Sequence, residues 1–203
     1  MRNRLENSRL AVTLALLLAA CCVSHLRADD AKKKEETKVR AVEIDGGLKL
    51  AVPESWEQKP ASNRLRLANF EIPNAEGDEG KTELVVSSAG GSVQANIDRW
   101  IQQFQPKERT VKVTTGTSPQ GEYIFVDLTG TYKKPIGPPI AGKFEEMPDA
   151  RMLGVMLHLK GKGTFFLKLA GPKKTVSAAA DGLRTTFGGV EKEEKEYKPG
   201  NEA

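Results

Sequence analysis

Between Ile44 and Ala170 the apolar side chains recur mostly at every second position, the spacing of strands that turn one face to a core. Leu48, Leu50 and Val52 alternate and stop at Pro53. Leu65 and Leu67 hold one phase, and Phe70 and Ile72 hold the other, which predicts a bulge near Ala68–Asn69. The three consecutive apolar residues within Glu83–Ser87 predict a strand covered on both faces. Val111 and Val113 mark a short strand, and Ile124, Val126 and Leu128 share one face of the next, opposite Tyr123 and Phe125. Leu153, Val155, Leu157 and Leu159 alternate against Met152, Met156 and His158. Gly161-Lys162-Gly163 then turns the chain into Phe165, Leu167 and Leu169, the clearest hairpin in the sequence.

Two segments change to helical spacing. Ser92 is placed to cap a helix in which Val93, Ile97, Trp100, Ile101 and Phe104 line one side until Pro106. A second helix opens with Pro172 in its first turn, carries Val176, Ala180, Leu183 and Phe187, and ends at Gly188-Gly189. Both stripes read as core-facing. The expected fold class is α+β: a mainly antiparallel sheet of six to seven strands with two principal helices packed on it.

The first 28 residues follow a different pattern. Arg2, Arg4 and Arg9 precede the apolar run Leu10–Ala20, the layout of an export signal. That run is too short for a permanent span, which needs about 20 apolar residues. Leu18-Ala19-Ala20-Cys21 resembles the bacterial lipobox, which implies a lipid on the Cys21 thiol. Ordinary cleavage after Ala28 is the alternative. Removing the segment changes the charge picture, because a net +4 in the whole chain becomes 27 basic against 26 acidic residues beyond Ala28. The basic excess belongs to the signal, and neither nucleic acid nor nucleotide is expected as a partner. Both cysteines, Cys21 and Cys22, lie at the signal boundary, so the folded part is expected to hold no disulfide framework. Residues 29–40 are charged and read as a flexible tether, residues 41–190 as a single domain, and residues 191–203 as a disordered charged tail.

A strand ending in Pro53 and followed by Glu54-Ser55-Trp56 resembles the opening of PsbP-like domains, the family of the extrinsic photosystem II subunit. The ending is similar too: a strand, then Gly171-Pro172, then a helix closing on Phe187. The resemblance implies an α/β/α sandwich between Ile44 and Gly188 and transfers no metal-binding or photosystem-binding residue. The chain also resembles exported bacterial proteins and lipoproteins, a likeness that implies no activity.

Known chemical motifs do not fit their contexts. Ala75–Thr82 has the relaxed spelling of a phosphate loop, but Glu76, Asp78 and Glu79 would crowd a phosphate and the segment leads into a strand. The same oxygens lack the spacing of a calcium loop. His158, the one histidine beyond the signal, cannot supply a His-based metal triad. No nucleophile elbow is present, so no catalytic, cofactor or metal residue is assigned. One oddity remains, the long connection Lys133–Pro148, with four prolines and the spaced apolar residues Ile136, Ile140, Phe144 and Met147. Either these side chains fold back over an open sheet end, or Ile136, Ile140 and Phe144 form a preorganised partner contact.

The functional expectation is an exported, non-catalytic envelope protein, lipid-anchored or released, in the periplasm, on the outer membrane or secreted. Its domain would bind or support another envelope component. The rival expectations are an enzyme whose carboxylates meet from distant strands, and a small-ligand or lipid carrier. Cys21→Ser is expected to release the chain into the soluble fraction or leave its precursor uncleaved, because stable attachment needs about two acyl chains. Fractionation with N-terminal sequencing checks this, and a soluble wild-type chain beginning at Asp29 assigns the alternative cut.

Overall fold

Tyr123, Phe125, Leu153, Val155 and Leu157 are buried on one side of a sheet, and Val126, Leu128, Met152 and Met156 on the other. Both faces of the central strands therefore need cover. A computed structural model describes residues 37–61, 63–88, 90–136 and 142–199; the signal, Cys21 and most of the tether lie outside these described residues. The described part contains ten strands: β1 (Val39–Ile44), β2 (Leu48–Pro53), β3 (Glu57–Lys59), β4 (Arg66–Ile72), β5 (Thr82–Ser88), β6 (Thr110–Ser118), β7 (Gly121–Pro135), β8 (Phe144–Leu159), β9 (Gly163–Pro172) and β10 (Lys195–Glu196). β1 and β2 pair as a separate hairpin, and the other eight form one antiparallel sheet in the order β10-β6-β7-β8-β9-β5-β4-β3. Helix α1 (Val93–Ile101) covers one face through Ile97 and Trp100. Helix α2 (Lys173–Phe187) and the β1–β2 hairpin cover the other.

The α+β class and the alternations follow the sequence pattern, with corrections at the margins. The sheet exceeds six to seven strands because short β3 and β10 extend its edges, even though the Leu48–Pro53 segment leaves it to join the hairpin. The register of β4 shifts between Arg66 and Ala68, just before the expected Ala68–Asn69, which pair in regular register, and Leu65 precedes the strand and is exposed. The tether reading fails at its end, since Val39 and Arg40 belong to β1. Arg40 donates hydrogen bonds from Nη1 to the Pro53 carbonyl (3.2 Å) and from Nη2 to the Trp56 carbonyl (2.6 Å).

Ser92 caps α1 as expected, its hydroxyl accepting from the Ala95 N–H at 3.2 Å. That helix ends at Ile101, before Phe104, and residues 102–105 turn to run beside β7. In β8, Gly154 lies under the Trp100 ring, where a Cβ would overlap it. Helix α2 begins just after Pro172, whose ring carries no acceptor to cap it. The Asp78 carboxylate does so from the β4–β5 loop, accepting from the Thr175 N–H (2.8 Å) and hydroxyl (2.6 Å). Gly188, at φ 80°, closes α2 with hydrogen bonds from Gly188 and Gly189 to the Arg184 carbonyl.

The expected disordered tail is ordered as far as it is described. After a 3-10 turn at Glu191–Glu193, β10 pairs with β6. The cause is Glu194, which accepts from Arg184 Nε at 2.8 Å and from the Thr114 hydroxyl at 2.8 Å, while the Arg184 guanidinium stacks 4.2 Å from the Phe125 ring centre. Composition marked the segment as charged, but its partner sits on α2.

Trp56 is 4% exposed where the chain leaves β2, and its ring lies beneath Gly182 of α2. Trp56→Ala is expected to destabilise the fold by about 3–5 kcal/mol. Urea unfolding measures this, and a wild-type midpoint would show that the ring carries no packing.

Candidate functional site

Among its described residues, the connection Lys133–Pro148 is mostly strand. β7 and β8 continue past the body of the sheet as a two-stranded arm, pairing Tyr132 with Met147, Lys133 with Glu146, Lys134 with Glu145 and Pro135 with Phe144. The sequence reading missed this because prolines signalled a loop, yet Pro135 and Pro148 lie near the end and the base of the arm, where missing N–H groups are tolerated. Opposite charges face each other along the shaft, a pattern that favours this register. At the base the ladder slips between Gly130 and Tyr132, and Asp149 takes a left-handed conformation at φ 47°. The Gln105 N–H donates to the Thr131 carbonyl (2.9 Å) and the Lys133 N–H to the Gln103 carbonyl (2.7 Å), which ties the post-α1 segment to the arm.

The spaced apolar residues of the arm have different fates. Met147 turns inward against the α1-side core. Ile136 is 49% exposed and Phe144 52% exposed at the far end of the described part of the arm, where the Ile136 N–H donates to the Lys143 carbonyl at 2.9 Å. Ile140 lies outside the described residues. The fold-back reading thus holds for Met147 and fails for Ile136 and Phe144.

Where the arm leaves the sheet, a groove of about 290 Å³ opens between its base and strands β4, β5 and β9. Lys168 of β9 forms its inner wall. Lys168 Nζ donates to Gln103 Oε1 and, at 2.9 Å, to the Tyr132 hydroxyl, and it lies 5.1 Å from the Tyr132 ring centre. Burial pushes the Lys168 ammonium down to about 7, with Arg66 and Arg99 adding to the fall and Glu83 opposing it. Burial likewise pushes the Tyr132 hydroxyl up to about 12, with Glu83 adding and Arg66 opposing. Arg66 donates to Glu83 at 3.1 Å and to Asn69 at 3.2 Å, and Lys81 stands 3.4 Å from the other Glu83 oxygen.

Sequence reasoning did not single out Lys168. The signal was a lysine inside the run Phe165-Phe166-Leu167-Lys168-Leu169-Ala170, on the same face as Phe166 and Ala170. Its partners Gln103 and Tyr132 are far away in the chain, so their convergence needed the fold. His158 is exposed, with its Nδ1 3.2 Å from the Thr164 hydroxyl. The acidic loop at Ala75–Thr82 joins two strands, and its Asp78 carboxylate is committed to α2.

No family model and no curated protein sequence matches the chain. Among solved structures it is similar to the solution structure of cyanobacterial PsbP (CyanoP) from Synechocystis sp. PCC 6803, at 8% identity and a TM-score of 0.46, over 79% of this chain and 94% of that chain. No residue role passes across this likeness.

The Lys168 geometry has a definite linkage sign. The amine has its ordinary value of 10.5 in the unfolded chain and about 7 in the fold, so the unfolded chain binds the extra proton between those values and stability rises with pH across that window. Lys168→Met lacks this gain. In paired urea unfolding experiments the variant's advantage at about pH 6 is expected to shrink above pH 7 by up to about 1.4 kcal/mol per pH unit. A pH-independent difference would show an ordinary, solvated amine.

Proposed function

We propose that this chain is an exported, non-catalytic envelope module that engages another envelope component through the tip of its β7–β8 arm. It is anchored through Cys21 or released after ordinary cleavage, with the periplasm, the outer membrane or the exterior as its place of work. The observation that carries the reading is the placement of Ile136 and Phe144, each about half exposed, at the end of a paired arm with a charged shaft. Scattered exposed apolar residues need no explanation, but two at one projecting tip form a contact of the kind interfaces use. The backbone is already ordered by cross-strand pairing, which lowers the entropy lost on association.

The non-catalytic part of the proposal draws support from how carboxylates are used. Asp127 is held by Arg151 at 2.9 and 2.7 Å, Glu194 by Arg184, and Glu83 by Arg66. Each is committed to a guanidinium, an arrangement suited to structure more than to proton transfer.

A photocrosslinker at position 143, beside the tip, is expected to trap the envelope partner in cells, whereas one at Lys160, on the β8–β9 turn, is not. The double change Ile136→Ser and Phe144→Ser should shift stability by less than about 0.5 kcal/mol while abolishing the adduct. Retention of the adduct, or a large loss of stability, would remove the tip from the functional account.

A further inference from the structure

The groove at the base of the arm combines two features that the contact at the tip leaves unused. Four of its lining residues are basic, Arg66, Lys81, Lys134 and Lys168, against the single carboxylate of Glu83. Arg66 and Lys81 share that carboxylate, but the hydrogen-bond partners of Lys168, Gln103 and Tyr132, are both neutral. Lys168 is a partly buried amine whose direct partners are neutral oxygens, so an anion placed beside it would favour its charged form. Val85, Pro135 and Met147 give the wall an apolar part beside the basic groups, and Asn63 and Tyr132 complete its polar part. At about 290 Å³ the groove is close to the lower end of small-molecule sites.

We propose that this groove binds a small organic carboxylate, its head paired with Lys168 and Arg66 and its apolar body against Val85, Pro135 and Met147. Lys134 on the rim adds to the field that draws the anion in. The charged and titratable groups facing Lys168 are Arg99 from α1, Arg66 from β4, Glu83 from β5 and Tyr132 from β7. Two of these are cations that disfavour a third charge, so an incoming carboxylate restores the conditions under which Lys168 holds its proton. Binding above neutral pH is therefore coupled to uptake of a proton. The inference is independent of the contact at the arm tip.

Hexanoate and hexan-1-ol, matched in apolar body, are the probes, titrated into the full chain by calorimetry with proton uptake followed by a pH indicator. Hexanoate is expected to bind saturably and at least about tenfold more tightly than the alcohol, a margin of about 1.4 kcal/mol. Binding at about pH 8 should take up protons. Lys168→Met should erase the margin and the uptake. Lys134→Gln, at the rim, should keep the fold and weaken hexanoate by a smaller factor, so a misfolded Lys168→Met chain would not leave the question open. Equal binding of acid and alcohol, absence of saturable binding by the wild-type chain, binding without proton uptake, or hexanoate affinity unchanged in both variants would each overturn the proposal.

Discussion

A sheet whose middle strands are apolar on both sides has no face left for water. That constraint organises this protein. Leu153, Val155 and Leu157 of β8 demand cover from one side, and Met152 and Met156 demand it from the other. Helix α2 is long enough to serve one face together with the β1–β2 hairpin, and Trp56 closes the seam between them. Helix α1 is only nine residues long and covers the opposite face in part, with Trp100 lying flat over Gly154. The face it leaves uncovered is where Lys168 stands and where the groove opens.

The arm and the groove are two results of the same geometry. β7 and β8 are longer than their neighbours, so they run beyond the body of the sheet as a ribbon. A bare ribbon of two strands is marginal in water, and this one is braced at its base by residues 102–105 and by the Phe104–Tyr132 ring contact, with centres 5.2 Å apart. The brace places Gln103 and the Tyr132 hydroxyl beside Lys168, so the feature that steadies the arm also forms part of the groove wall.

Charge in this chain acts through specific pairing more than through its net value. Glu194 turns a charged, poorly hydrophobic tail into an edge strand because Arg184, only 10% exposed in its side chain, presents a planar fork to it. Asp78 turns an acidic loop into a helix cap for the same kind of reason, buried donors of Thr175 meeting a carboxylate from another element. In each case local composition suggested solvent and the tertiary partner decided otherwise.

The sequence by itself determined what depends on neighbours a few residues apart. Period-two alternation set the faces of β7, β8 and β9, Ser92 and Gly188 set the ends of the helices, and the phase change before Phe70 set the bulge in β4. These were legible because a residue's side of a strand, or its fit to a left-handed turn, is decided by its own backbone geometry. The contact candidates Ile136 and Phe144 were legible as apolar outliers, but whether they fold back or project was settled by the ladder between β7 and β8. Lys168 drew no notice in the sequence, because a single lysine in an apolar run gains meaning only from what surrounds it. Its altered proton affinity comes from burial and from Arg66 and Arg99, on elements separated from it by more than 60 residues. Desolvation and through-space charge act across distances the chain order does not encode, and only the packed structure could bring them together.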